Sequence, residues 1–235
     1  MNMFKKIDFA SLGSADYGWL KARYHFSFSN YHDPERMGIG NLLVINDDRF
    51  AAGKGFPPHP HDNMEIITYV RQGAITHEDS MGNRGVTLAG DVQVMSAGTG
   101  IRHSEYNLSD EQCILYQIWI LPRERNVVPR WDAKQFPKEL LQSHASLPLL
   151  VSGFEQDAES GALFIHQHAR IYGGALAQGC ELHHDTAQQA YVLVSEGVVR
   201  IGDVLCEAGD GVHVHNETSI TFNAMTQANV LVIEM

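Results

Sequence analysis

Cysteine, cationic side chains and long apolar runs are all scarce in this chain. Its three cysteines, Cys113, Cys180 and Cys206, are far apart in 235 residues. An odd, unclustered set supplies neither a disulfide framework nor a Cys-x-x-Cys pair. Cys113 and Cys206 adjoin strand-like sequence and are expected to be buried, inert thiols. Lys and Arg number 17 against 28 Asp and Glu, for a formal net charge of −11. Nucleic acid and anionic membrane both demand concentrated cationic side chains, so neither is expected as a direct partner. No segment approaches the ~20 apolar residues of a spanning helix. The run "MNMFKKIDFASLGSADYGWLK" has a Lys pair but not the apolar stretch of a signal peptide. A cytoplasmic protein is expected.

Also missing is any long, capped stripe of helical period. The best helix candidates are short, at Pro137–Gln142 and Tyr17–Ala22. Strand signals dominate instead. "NLLVIND", "EIITYV", "GAITHED", "VQVMSAG" and "ILYQIWI" are short, rich in Ile, Val, Tyr and Thr, and bounded by turn-forming residues. "DSMGNRG" (79–85) reads as a turn, and the Pro- and charge-rich segment 121–140 as a linker. Strands then resume to the end of the chain. Many short strands at regular spacing predict an all-β sandwich or barrel.

The strands repeat. "ITYVRQGAITH" resembles "AYVLVSEGVVRI", and "LAGDVQVM" resembles "EAGDGVHV". The chain is therefore expected to hold two copies of one β module, at 1–130 and 131–235.

Histidine is plentiful, with 13 residues. On an extended strand, residues i and i+2 share a face. His59 and His61 in "GFPPHPHDNMEIITYV" form one such pair, and His103 and Glu105 in "GTGIRHSEYN" form another. Converging on one barrel, three neutral imidazoles and a carboxylate would suit a divalent first-row metal and leave positions open for water or substrate. A lone His-x-His in a loop is more often solvated, so the spacing alone leaves both readings standing.

The order of these elements resembles a cupin. The first cupin motif is met by Gly53, His59, His61 and Glu65, with Gly73 one residue late. The second is met by Gly90, Gly98, His103 and Asn107, with Ser96 in place of proline and two extra residues before His103. More narrowly, residues 20–121 resemble the pirin family and its bacterial quercetinase-like relatives. The segments that carry this are "YHFSFSNYHDPERMG", "GFPPHPHDNMEIITYV", "HEDSMGN" and "SAGTGIRHSEYN".

The resemblance implies a bicupin whose N-terminal barrel binds one divalent first-row metal through His59, His61, His103 and Glu105. Iron is favoured, with nickel, copper, cobalt, manganese or zinc also compatible. It assigns the carboxylate ligand to Glu105, although a general cupin would use Glu65. Glu65 is then expected either to support the site from outside, orienting an imidazole N–H, or to be a structural carboxylate. His25 and Phe56 are expected near the cavity, each with a structural role as the plainer alternative. His77 is read in the same way.

The implied activity is a quercetin 2,3-dioxygenase-type oxidation. A flavonol-like substrate would be opened by O₂ after its hydroxyl meets the metal, with Glu105 accepting the proton. The alternative is a non-catalytic, redox-responsive metal-binding module with a protein partner.

In the C-terminal copy, His183 aligns with His59, Asp185 with His61 and Gln189 with Glu65. His213 and His215 share a strand face but align with Val94 and Ser96, and no His-x-Glu pair follows. That module is expected to be degenerate and without metal. "HQH" at 166–168 reads as a solvent-facing pair.

Overall fold

The computed structural model describes residues 3–186 and 189–235. Among them, helix is confined to two three-residue turns, Phe9–Ser11 and Glu155–Asp157. No helix is long and apolar enough to cross a membrane. The chain divides into two compact units. The division is not a single cut near residue 130. One unit holds residues 13–136 and 163–168, and the other holds 1–12, 137–162 and 169–235.

In the N-terminal unit, the larger antiparallel sheet runs Arg130–Lys134, Val92–Ser96, Glu65–Gln72, Cys113–Ile120, Leu42–Phe50, Leu20–Tyr24 and Gly13–Asp16. The smaller sheet runs Gly55–His61, Ile101–Tyr106, Ala74–Asp79 and Arg84–Leu88. One apolar cluster joins them. It packs Ile75 of the smaller sheet with Phe50, Val70 and Leu115 of the larger. Two sheets enclosing one core make the jelly-roll barrel typical of cupins.

The C-terminal unit repeats the plan. Phe4–Ile7, Gly211–His215, Gln189–Glu196, Ala228–Glu234, Arg170–Leu176 and Leu149–Ser152 lie side by side. Glu181–Asp185, Ser219–Ala224, Val198–Ile201 and Val204–Glu207 form the smaller sheet. The core is aliphatic, built on Val192, Val212, Val230, Val232, Ile220 and Phe222.

The sequence repeat is repeated in hydrogen bonds. Gly90 N–H donates to Val70 and Val70 N–H to Asp91. Gly209 N–H likewise donates to Val194, and Val194 N–H to Asp210. Gly73 and Gly197 turn equivalent hairpins at φ +74° and +77°, where an L side chain would be strained.

Three expectations are corrected. Residues 20–24 form a strand, because Leu20, Ala22 and Tyr24 alternate into the core. Residues 137–142 are not helical. Within the expected linker, Arg130–Lys134 is a strand paired with Val92–Ser96. All three cysteines are buried and free.

Candidate metal centre

His59 and His61 lie on Gly55–His61, which pairs antiparallel with Ile101–Tyr106. The register sets His103 opposite His59 and Ile101 opposite His61. Because His59 and His61 share a face, one cross-strand pairing brings three imidazoles together. Ring centroids are 4.8 Å apart for His59 and His61, 4.5 Å for His59 and His103, and 5.0 Å for His61 and His103. One nitrogen from each ring falls within 4.8 Å of the other two.

The hydrogen bonds select the tautomers. His59 Nδ1 is 2.8 Å from the Pro57 carbonyl oxygen. Only the nitrogen can donate there, so Nε2 keeps its lone pair. Behind His103 stands His77, fully buried, with Nε2 3.0 Å from Asp79 Oδ2. That N–H donates to the carboxylate, which leaves His77 Nδ1 as acceptor for His103 Nδ1–H at 3.4 Å. His103 Nε2 is then a bare lone pair, and it is buried without a partner. Trp131 stacks on His77 at 4.8 Å and 10°. Asp79 also accepts from the Met81 and Asn83 backbone N–H groups and from Asn83 Nδ2. The "DSMGN" turn thereby anchors the far end of the relay.

Burial keeps His61 and His103 neutral. Burial, reinforced by His59, lowers His61 to about 4. Burial, with three neighbouring imidazoles, lowers His103 to about 2. Neutral imidazole is the form that binds a metal. An orphaned His103 Nε2 between two more imidazoles therefore fits a divalent first-row ion.

Glu105 lies two residues beyond His103, past a bulge in the pairing with Gly55–His61. Its carboxylate groups with His77 and His103 rather than with all three imidazoles. Gln93 Nε2 donates to Oε1 at 2.7 Å and Gln117 Nε2 to Oε2 at 2.7 Å, while the Thr68 hydroxyl reaches Oε1 at 3.3 Å. Thr87 holds Gln93 from behind, and Trp119 Nε1–H holds Gln117. Burial pushes Glu105 up to about 7 against these three donors.

The neighbouring cavity has a volume of about 360 Å³. Trp19, Tyr24, Phe28, Phe56 and Trp119 form its aromatic walls, and His59 and His61 reach its edge. Phe56 meets His59 edge-on at 5.8 Å, and Trp119 meets His61 edge-on at 5.0 Å.

Phe56 lines the cavity, whereas Glu65 and His25 follow the structural alternatives. Glu65 follows the opposite alternation to Thr68, so it turns away from Glu105. It accepts from Ser96 Oγ at 2.7 Å and from the His166 backbone N–H at 3.1 Å, and meets no imidazole. His25 is buried, and burial with Arg36 and Arg71 nearby lowers it to about 3. It is not part of the cavity wall.

Several residues went unrecognised in the sequence: Asp79 as the partner of His77, and Thr68, Gln93 and Gln117. A signal for the last three existed, since each is a polar residue at an inward position of an apolar strand. The C-terminal unit shows their significance. Thr68 pairs between Gln117 and Gln93. Val192 pairs in the same way between Val232 and Val212. Valines thus replace every donor to the carboxylate. Among the described residues, no group of three candidate ligands occurs in that unit. His184 there is buried against Glu234 at 3.1 Å, and His183 is half-exposed beside Glu181.

Comparison with known proteins supplies the family. The pirin family pattern matches residues 8–120, and the quercetinase C-terminal cupin domain pattern matches 149–235. A pirin-like protein of Caulobacter vibrioides is 46% identical over 234 residues, covering 99% of both chains. Quercetin 2,3-dioxygenase of Escherichia coli K12 is 41% identical over 230 residues, covering 95% of this chain and 94% of its own. A bacterial pirin of Escherichia coli, solved in complex with nickel(II), superposes with a TM-score of 0.90 at 40% identity, covering 99% of this chain and 98% of its own. With relatives at this identity over nearly the whole chain, the chain belongs to the pirin family.

Proposed function

We propose that this protein is a metal-dependent dioxygenase of the quercetin 2,3-dioxygenase type, which opens a flavonol ring with O₂. The observation that carries this reading is the open three-imidazole cluster at the edge of an aromatic-walled cavity. A cavity of about 360 Å³ is in the range that takes small molecules. Its flat walls suit a planar aromatic. A full-length relative named quercetin 2,3-dioxygenase adds support.

His59, His61 and His103 would hold one divalent ion per chain, with Glu105 as the fourth ligand. Iron is the favoured metal, and nickel, copper, cobalt, manganese and zinc suit the same donors. When bound, the ion supplies Lewis-acid stabilisation of a developing oxyanion. The chain does the rest. Trp19, Phe56 and Trp119 orient the aromatic plane and exclude water. A Glu105 carboxylate oxygen would accept the flavonol hydroxyl proton, its proton affinity raised by burial. Gln93, Gln117 and Thr68 keep that carboxylate from swinging away. A cytoplasmic location fits this role.

Aerobic turnover of quercetin by metal-reconstituted protein, with loss of carbon monoxide and of the flavonol absorbance, is the expected result. His59→Ala is expected to abolish it. Absence of turnover with every first-row metal would reject the reading in favour of the non-catalytic module.

A further inference from the structure

Two polar side chains on the cavity wall take no part in the centre described above. Asn46 and Asp48 are two apart on Leu42–Phe50 and therefore project from one face. Both line the cavity. They are only 3% and 1% exposed, yet Asn46 Oδ1 and Asp48 Oδ1 have no hydrogen-bond partner. Their cross-strand neighbours explain why. Asp48 lies between Ala22 and Leu115, whose side chains carry no polar atom. Asn46 lies between Tyr24 and Gln117. Gln117 is already committed to Glu105 and Trp119, and Tyr24 to Tyr17.

The fold does not require a polar group at the Asp48 position. Asp48 pairs with Leu115, and at the matching register of the C-terminal unit Gly174 pairs with Val230. The space beside Gly174 is filled by Leu141, Pro148 and Leu147. Buried polar atoms left unpaired are destabilising and uncommon in native proteins. Two of them side by side on a cavity wall call for a partner that comes from outside.

We propose that Asn46 and Asp48 form a hydroxyl-recognition subsite, which selects planar aromatic ligands carrying further hydroxyl groups besides the one presented to the imidazole cluster. This deepens, and rests on, the reading of the cavity as a flavonol site. A phenolic hydroxyl both donates and accepts, so it can meet both side chains. Burial, with Asp47 and Glu105 nearby, holds the Asp48 carboxyl well above the usual carboxylate range. The acid then offers one donor and one acceptor, and Asn46 Oδ1 is an acceptor beside it. A site built to bind a hydroxyl rejects the analogue that lacks it, because its own polar groups then stay unpaired.

The test compares quercetin with 3-hydroxyflavone, which keeps the flavonol hydroxyl but lacks the others. Binding is read on zinc-loaded full-length protein under argon, from the fluorescence of Trp19 and Trp119 in the cavity wall. Wild type is expected to prefer quercetin by about tenfold or more. Asp48→Leu and Asn46→Leu are expected to weaken quercetin selectively and bring the preference within about threefold. Asp48→Asn, which keeps a donor and an acceptor, is expected to retain it. If either Leu variant does not fold, the Ala variant at that position carries the same comparison.

An unchanged preference in both apolar variants overturns the subsite. So does an equal loss of both probes, or a wild type that binds quercetin no better than 3-hydroxyflavone. Selective loss of quercetin in the variants, without turnover of quercetin by any metal form, supports the subsite and rejects the dioxygenase reading.

Discussion

His103 and His77 face each other through their Nδ1 atoms at 3.4 Å, inside the N-terminal unit. Since His77 Nε2–H donates to Asp79, the contact fixes His103 with its Nε2 lone pair toward His59 and His61. Outer partners of metal-binding histidines typically affect affinity by 10–100-fold. His77→Phe and Asp79→Asn are expected to weaken metal binding within that range, measured by competition with a chromophoric chelator. Unchanged affinity in both would mean that the relay only packs the interior.

At Gly55 the strand Gly55–His61 runs too close to Ile101–Tyr106 to admit a side chain. A Cβ there would collide with the Glu105 carbonyl oxygen and the Tyr106 backbone. Backbone cannot swing aside as a flexible side chain can, so Gly55→Ala is expected to push Gly55–His61 off Ile101–Tyr106. The His59–His103 spacing should open, with metal content well below one per chain by elemental analysis. Stability should fall by about 1–3 kcal/mol. Full metal occupancy would show that the strands absorb the change without moving the imidazoles.

Glu105 and Glu65 make a direct contrast. Glu105→Gln is expected to reduce metal retention. Glu65→Gln is expected to leave it intact and to cost about 1–2 kcal/mol in urea unfolding, because a buried acceptor loses charge-assisted bonds from Ser96 and His166. Metal loss in Glu65→Gln alone would return the carboxylate ligand to the general cupin position.

Asp157 ties down the C-terminal unit. It accepts from Arg170 Nε at 2.7 Å and from Ser152 Oγ at 2.6 Å, while the Arg170 guanidinium lies over Phe154 at 4.1 Å. The Arg170 hydrogen bond holds the Asp157 carboxyl below its usual value. A depressed folded pKa adds stability above the unfolded value of roughly 3.9 and loses it as pH falls through the folded one. Asp157→Asn is expected to cost about 1 kcal/mol at pH 7. The melting difference from wild type should hold between about pH 5 and 7 and shrink below about pH 4. A pH-independent difference would mean that shape, not charge, is what the variant loses.

Strand-rich content, the two-fold repeat and the shared faces of the His59/His61 and His103/Glu105 pairs were legible in the sequence, because each depends on local alternation or on a Gly-Asp turn. The strand Arg130–Lys134 was not, since Pro and charge around it mimic a linker. Its pairing with Val92–Ser96 brings Trp131 onto His77. Which of its two roles Glu65 takes was not legible for a related reason. A motif states which residues recur, but the alternation of Glu65–Gln72 against its neighbours decides which of them face inward.

The sequence by itself determined the β architecture, the doubled module and the identity of the three imidazoles, because period-two alternation and pair spacing are properties of a single strand. Only the tertiary structure decided what surrounds them. Thr68, Gln93 and Gln117 come from three strands and converge on Glu105 solely through cross-strand register. Val192, Val212 and Val232 occupy the same register in the other barrel and fill it with apolar bulk. Asn46 and Asp48 gain their meaning in the same way, since a buried polar atom is unpaired only with respect to neighbours that the sheet supplies.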